Sequence, residues 1–152
     1  MGAFCIILIS KISHPISILG VYFIHMSTIF TKIISGEIKS YKIYEDEYVC
    51  AFLDVNPMQK GHTLVVPKQE VDDFLKLDEL IFDKVMHRVR YVAQVLKGKL
   101  NCVRVCMLVE GYEIPHAHMH LIPTNTGSDF DKKNIYKATE EELKEVQKLL
   151  QS

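Results

Sequence analysis

Histidine occupies every second position in the stretch His116-Ala117-His118-Met119-His120-Leu121-Ile122-Pro123. Successive side chains of a strand alternate between its two faces, so all three imidazoles would share one face. The pattern predicts a strand over residues 114–122. Because the unperturbed pKa of histidine lies near neutrality, such a row offers a nucleophile, a proton donor and a supporting group together.

The composition limits the class of protein. The chain has 152 residues, 48% of them hydrophobic, and a formal net charge of −1, which suits one domain with a real core. This charge gives no electrostatic reason to expect a nucleic acid or an anionic membrane as a partner. The four cysteines show neither metal-ligand spacing nor a dense disulfide framework, which favours reduced thiols in a cytoplasmic protein.

The remaining pattern predicts further strands and two helices. The strands expected before the histidine row cover residues 41–44, 48–53, 62–67 and 103–109. The first three follow one another directly and predict an antiparallel meander, hence an α+β fold. Asp78 is the expected N-cap of a long helix ending at Lys97-Gly98, and Thr139 with Glu142 has the spacing of a capping box for a final helix.

Residues 1–25 differ in character from the rest. They contain two apolar runs, and neither is long enough to span a bilayer as a helix. The basic residue comes late for a secretory signal. Because patterned, polar-punctuated sequence starts after Met26, we expect Met26 to be the natural initiator and residues 1–25 to be an over-long start or a peripheral extension. Residues 26–152 form the predicted domain.

Three interpretations of the histidine row compete. Strict spacing of three histidines disfavours a purely structural role. A zinc ion needs each nitrogen at about 2 Å, whereas His116 and His120 would have Cα atoms roughly 13 Å apart on an extended strand. Two of the three with His62 or a cysteine could still bind a metal, so a metal hydrolase stays open. A nucleophile at His118, with neighbours about 6.6 Å away along the strand, fits the spacing better.

Three segments together resemble the histidine-triad family of nucleotide hydrolases and transferases, most closely its small bacterial-type branch. The first is the histidine row itself. The second runs from Phe52-Leu53-Asp54-Val55-Asn56-Pro57 through Gly61-His62 to Lys68, and is similar to the family's ribose-contacting segment with its upstream histidine. The third is residues 29–38, which resembles the base-pocket segment. The likeness runs in order from Thr28 to Pro123.

The resemblance implies a homodimer with a five-stranded antiparallel sheet, a long central helix and a C-terminal helix, acting on a purine nucleotide. It implies that His118 attacks the α-phosphate of a phosphoramidate, adenylated or dinucleotide substrate to give a covalent nucleotidyl-histidine. His120 would assist departure of the leaving group, and His116 and His62 would support the nucleophile. Asp54 would hold the ribose. The implied base slot consists of Ile29, Phe30, Ile33, Ile38, Phe52, Leu53 and Val55. No cofactor is implied, and a nucleotide-binding scaffold with little catalysis is the alternative.

The sequence departs from the family pattern at three places. The loop before the histidine row lacks the serine that many relatives carry, and Glu113 brings a negative charge towards an anionic substrate. Val109 stands where relatives often have Asn or Gln. Some relatives bind structural zinc through two cysteines, and this sequence has Thr28 and Thr31 at those positions instead. Because these ligands are missing, we predict no such zinc here, and no metal among the site residues.

Overall fold

The computed structural model describes residues 17–18, 21–22 and 27–152. The short strands β1 (Ser17–Ile18) and β2 (Val21–Tyr22) pair with each other in antiparallel fashion. Apart from these strands, the expected extension over residues 1–25 and the expected initiator Met26 lie outside the described residues. The domain boundary at residue 26 therefore stays a prediction.

A five-stranded antiparallel sheet forms the centre of the protein, with helices on both faces. Its strands are β3 (Lys42–Glu45), β4 (Val49–Leu53), β5 (Thr63–Pro67), β6 (Arg104–Glu110) and β7 (His118–Thr124). The helices are α1 (Ile29–Ile34), α2 (Glu79–Leu100) and α3 (Glu140–Gln151). The strand order is β3-β4-β5-β7-β6, so the histidine strand β7 lies between β5 and β6. The predicted α+β class and five-stranded sheet are confirmed.

One face of the sheet carries the main core. The apolar stripe of α2, at positions three or four apart, packs on Met119 and Leu121 of β7. That stripe is Val85, Val89, Val92 and Leu96, and α3 adds Leu143, Val146 and Leu150. Full burial of each such side chain contributes about 1.5–3 kcal/mol. Because β7 alternates, its odd residues belong to this core and its histidines lie on the opposite face.

The opposite face is only partly covered. There α1 packs Phe30 and Ile33 against Phe52 of β4 and Leu64 of β5. This helix begins at Thr28, whose hydroxyl accepts the Thr31 backbone N–H at 3.2 Å. A helix of six residues cannot cover a five-stranded sheet, so space remains beside it.

The structure corrects the boundaries of two predicted elements. The long helix continues through Gly98 to Leu100, and Asn101, at φ 51°, makes the left-handed turn assigned to the glycine. The histidine strand begins at His118 rather than at residue 114, because the His116 N–H turns back to the Ile114 carbonyl at 2.7 Å. His116 therefore precedes the strand.

The capping box of α3 forms in part. The Thr139 hydroxyl accepts the Glu142 N–H at 3.2 Å as expected. The Glu142 carboxylate, however, accepts a hydrogen bond from the Tyr136 hydroxyl. Thr139 therefore caps the helix alone, while Glu142 ties the preceding loop to its first turn.

The turn before β5 requires a glycine. Gly61, just before β5, has φ +86°, and a Cβ there would collide with the side chain of Leu100. Only glycine suits that turn, which brings His62 into the sheet.

Within the described ranges, no helix is both long and apolar enough to cross a membrane.

Candidate active site

A cavity of about 670 Å³ lies on the α1 face of the sheet. Its wall is largely apolar around Phe30 and Phe52, and histidines close one side. Eleven of the twelve predicted site residues line it: Ile29, Phe30, Ile33, Ile38, Phe52, Leu53, Asp54, Val55, His62, His118 and His120. The exception, His116, is fully buried behind the wall. The cavity thus joins predicted site residues that are up to 91 positions apart in the chain.

His118 is held with one ring nitrogen bonded and the other available. It is 6% exposed, and its Nδ1 lies 2.8 Å from the His116 carbonyl oxygen. A carbonyl oxygen can only accept, so Nδ1 carries the proton and Nε2 keeps its lone pair. Nε2 has no hydrogen-bond partner among the described residues. The Phe30 ring stands edge-on to the imidazole at 4.9 Å between centroids and restricts its rotation.

His62 and His120 form a hydrogen-bonded pair across β5 and β7. The Met58 N–H donates to His62 Nδ1 at 3.1 Å, so neutral His62 carries its proton on Nε2. His62 Nε2 lies 3.0 Å from His120 Nδ1 and donates to it. His120 therefore has its own proton on Nε2, and its ring centroid is 4.8 Å from that of His118.

Burial keeps these three rings neutral. Desolvation lowers the pKa of His118, and the nearby His116 lowers it further, against the opposing hydrogen bond to the His116 carbonyl. Desolvation also lowers the pKa of His62, opposed by Asp54. The pKa of His120 falls to about 3, first because of burial and then because of His118 and His62. At neutral pH His118 therefore presents an unprotonated nitrogen to the cavity.

His116 lies at the end of a chain of polar side chains. Its Nε2 is 2.8 Å from the Pro67 carbonyl oxygen, and its Nδ1 is 2.9 Å from the Thr28 hydroxyl. The Thr28 and Thr31 hydroxyl oxygens are 3.1 Å apart, and the Thr31 hydroxyl donates to the Glu70 carboxylate. This chain joins α1, the segment after β5 and the loop before β7.

Asp54 lies beside His62 at the end of β4. Its Oδ1 accepts the Asn56 N–H at 2.9 Å, and its Oδ2 is 3.7 Å from His62 Nδ1. That nitrogen already accepts the Met58 N–H, so no proton lies between the two side chains. The pair is not an ion pair, and the carboxylate keeps acceptor capacity towards the cavity.

Among the described residues, two positions could be considered for a metal, and neither fits one well. Asp54, His62 and His120 place ligand atoms within 4.8 Å of one another. Both nitrogens of His62 are engaged in hydrogen bonds, which leaves His62 no lone pair for an ion. The zinc position of some relatives holds the hydroxyls of Thr28 and Thr31, which are not zinc ligands and are bonded to other groups.

The cavity also includes residues that the sequence analysis did not assign. Lys132 donates to both carboxylate oxygens of Glu110 at 3.0 Å, and both residues line the cavity that His120 faces. Ile135 lines the same region, together with Tyr112 and Glu113 of the loop whose departure from the family pattern the sequence analysis noted. Lys132 begins a short 3-10 helix, Lys132–Asn134, and Ile135 ends it. No pattern in the sequence distinguishes these residues from a solvated loop.

The fold and the site define a small α+β protein with a cluster of histidines beside an apolar cavity. The family model of the HIT domain matches residues 35–127. The chain belongs to the HIT domain family.

Known relatives agree with this assignment. An uncharacterized HIT-like protein of Borreliella burgdorferi is 37% identical over 127 residues, covering 78% of this chain and 91% of that protein. A HIT-like protein of Bartonella henselae involved in cell-cycle regulation has a crystal structure that superposes with a TM-score of 0.71 at 31% identity, covering 82% and 94%. An adenosine 5'-monophosphoramidase of Saccharomyces cerevisiae is 33% identical over 96 residues, covering 62% and 61%.

Proposed function

We propose that this protein hydrolyses nucleoside phosphoramidates, or related adenylated or dinucleotide substrates, at the α-phosphate through a covalent nucleotidyl-His118. The observation that carries the proposal is the pair of free Nε2 atoms. His118 Nε2 holds a lone pair and His120 Nε2 holds a proton, on rings with centroids 4.8 Å apart beside one cavity. A nucleophile and a donor side by side are what phosphoryl transfer requires.

In the first step, His118 Nε2 attacks the α-phosphorus and the bond to the leaving group breaks. The anionic phosphate favours the protonated form of His120, because an opposite charge nearby stabilises an imidazolium. His120 Nε2 then passes its proton to the leaving nitrogen or oxygen. The His116 carbonyl, which accepts from His118 Nδ1 at 2.8 Å, stabilises the positive charge that develops on the attacking ring.

In the second step, water attacks the phosphorus of the nucleotidyl-histidine. The bond between phosphorus and His118 Nε2 breaks, and the proton of the water returns to His120. Nucleoside monophosphate is released and both rings recover their starting states. In the resting protein, the His62 Nε2–H bond to His120 Nδ1 at 3.0 Å orients the neutral His120 ring.

The nucleoside has a suitable place in the same cavity. The rings of Phe30 and Phe52, 5.8 Å apart at their centroids, form part of an apolar slot for a planar base. Asp54 keeps acceptor capacity for ribose hydroxyls. The name of the yeast relative, adenosine 5'-monophosphoramidase, favours a purine nucleotide and an amine leaving group.

The assembly and the location are part of the proposal. We infer a homodimer, because exposed Met107 on the edge strand β6 and exposed Tyr91 on α2 leave apolar surface on neighbouring elements. We infer a cytoplasmic location from the cysteine pattern, which favours reduced thiols. A monomeric mass in analytical ultracentrifugation at micromolar concentration would contradict the dimer.

The covalent intermediate provides the test. Protein is mixed with adenosine 5'-phosphoramidate substrates, quenched in base within the first turnover, and analysed by peptide mass spectrometry. A nucleotidyl group is expected on His118, and H118A should lower kcat by about 10⁴-fold or more while keeping nucleotide binding. H87A, which removes an exposed histidine of α2, is the matched control. Binding without turnover across phosphoramidates and dinucleotides would favour the scaffold alternative.

A further inference from the structure

An ion pair between Lys132 and Glu110 lies at the mouth of the cavity, where exposed side chains of the lining meet solvent. The Lys132 ammonium donates to both carboxylate oxygens of Glu110 at 3.0 Å. An ammonium has three N–H donors, so one remains after these two bonds. Within the described part of the chain, Lys132 has no other hydrogen-bond or ion-pair partner. The remaining N–H is therefore available to an acceptor in the cavity.

The two charges lie beside the two histidines that the proposed reaction uses. Glu110 of β6 is directly opposite His118 of β7 in the sheet register, so both side chains project from the same face. Burial and the neighbouring histidines do most to lower the pKa of His120, and the Lys132 ammonium lowers it further. The carboxylate is thus next to the proposed nucleophile, and the ammonium is next to the proposed acid.

The backbone holds Lys132 in this position. The short helix that begins at Lys132 is capped by Asp131, whose side chain accepts a backbone N–H of that helix at 2.9 Å. Just beyond the helix, the Tyr136 N–H donates to the Pro57 carbonyl at 3.1 Å. These bonds fix the segment after β7 to the loop before β5, so Lys132 is anchored at both ends of its turn.

We infer that Lys132 binds an anionic oxygen of the leaving group, and that the Lys132–Glu110 pair selects substrates whose leaving group carries a carboxylate or a phosphate. The inference rests on the proposed function, in which His120 passes its proton to that same group. Lys132 is then a specificity residue that contacts substrate, whereas Glu110 is a positioning residue that acts through Lys132.

The charges at the mouth explain the expected preference. Glu110 neutralises Lys132, yet the remaining N–H still belongs to a cation, and such a donor bonds most strongly to a charged oxygen. Without Lys132, the Glu110 carboxylate would stand unpaired beside the α-phosphate and repel an anionic leaving group. The exposed carboxylate of Glu113 also lines the cavity and opposes the preference. Glu113 acts through solvent, whereas Lys132 offers a direct hydrogen bond.

Binding of two nucleotides tests the inference without turnover. Titration calorimetry compares adenosine monophosphate with α,β-methylene adenosine diphosphate, whose second phosphorus carries anionic oxygens where the leaving group would lie. The unmodified protein should bind the diphosphate analogue about fivefold or more tightly than the monophosphate, because a hydrogen bond to a charged group is gained. K132Q should lose this ratio. K133Q, which changes the neighbouring exposed lysine outside the cavity lining, should keep it.

The outcomes separate this inference from the proposed hydrolase activity. Equal ratios in the unmodified protein and K132Q, whatever their value, would overturn the role of Lys132 even if a nucleotidyl-His118 forms. A ratio that depends on Lys132 without any turnover would refute only the hydrolase. Failure of both nucleotides to bind would contradict both proposals.

A double-mutant cycle tests the selection by charge. The net charge of the pair is zero in the unmodified protein, −1 in K132Q, +1 in E110Q and zero again in the double variant. K132Q should lower kcat/KM about tenfold for an aspartate-derived phosphoramidate and raise it for a lysine-derived one, and E110Q should shift the preference the opposite way. The double variant should have a preference between those of K132Q and the unmodified protein.

A third substrate identifies the anionic group. Diadenosine triphosphate presents a phosphate where the aspartate-derived substrate presents a carboxylate, so the larger loss in K132Q shows which of the two Lys132 binds better. Equal losses for the aspartate-derived and lysine-derived substrates would overturn the inference, since they would show that Lys132 supports the structure without reading the charge of the leaving group.

Discussion

The two ends of the histidine row have different partners. His120 lines the cavity and shares one hydrogen bond with another imidazole, that of His62. His116 is fully buried, and both of its ring nitrogens meet oxygen atoms, in Thr28 and Pro67. One end is a neutral pair of rings open to a ligand, and the other is a closed chain that leads to a carboxylate.

This difference shows how neighbouring groups give identical imidazole side chains different roles. The two imidazoles of the His62–His120 pair share a single proton and stay neutral, since desolvation lowers the pKa of both. His116 instead meets an oxygen atom at each ring nitrogen, in a chain of polar side chains that ends at Glu70. His118 lies between the two ends, bonded to the backbone of one and packed against the ring of the other.

Of the changes that separate the two ends of the row, H120A at the open end is expected to have the largest effect. H120A removes the proton donor, so kcat should fall by about 10²–10⁴-fold for substrates with a basic amine leaving group. A nitrophenolate leaving group needs no proton, so its loss of rate should be much smaller. Steady-state kinetics with both substrates measures the ratio. Equal losses would mean that His120 does not act as the acid.

Acid should destabilise the protein because His120, at the open end of the histidine row, is partly buried in its neutral form. The pKa of His120 is about 3 in the folded protein and 6.5 in the reference state. Between these two pH values the unfolded chain binds a proton that the folded protein does not bind. The free energy of unfolding therefore falls as the pH is lowered from 6.5 to about 3. The loss is about 1.4 kcal/mol per pH unit from this group. Urea unfolding between pH 5 and 7.5 avoids carboxylates such as Asp46, whose pKa of about 2 lies well below that range.

The control for this pH effect is a pair of single substitutions. In H120N the dependence of the free energy of unfolding on pH should be shallower by nearly one proton, whereas H87N should keep the wild-type slope. If H120N and the unmodified protein show the same slope, burial of His120 is not the cause of the acid sensitivity.

The sequence predicted most of the sheet because its signals were local. Alternation identified the strands, and the Asp78 N-cap began α2 as expected. Errors arose where packing outweighs local preference: Leu100 packs against the core, so the last helical turn forms in spite of Gly98. The turn at His116 was missed because strand alternation continues through it in the sequence while the Ile114 carbonyl captures its N–H.

The sequence predicted one part of the candidate site and missed another. Segments that resemble the family pattern supplied eleven of the residues that line the cavity, because each pattern is continuous in the sequence. The partners of His116 could not be found in this way, because Thr28, Thr31 and Glu70 are ordinary helix and loop residues whose importance depends on distances across the fold. The mouth residue Lys132 was missed for the same reason.

The smallest effect is expected at the loop beside the open end. Glu113 is exposed and lines the cavity, so its charge acts on the leaving group through solvent. E113Q should raise kcat/KM about two- to fivefold for an aspartate-derived phosphoramidate and lower it similarly for a lysine-derived one, since exposed charge pairs contribute about 0.2–1 kcal/mol. E47Q, in the β3–β4 turn, is the matched control. Both changes should shrink in high salt, because screening weakens exposed charges, and a change that persists there would show that Glu113 contacts the leaving group directly.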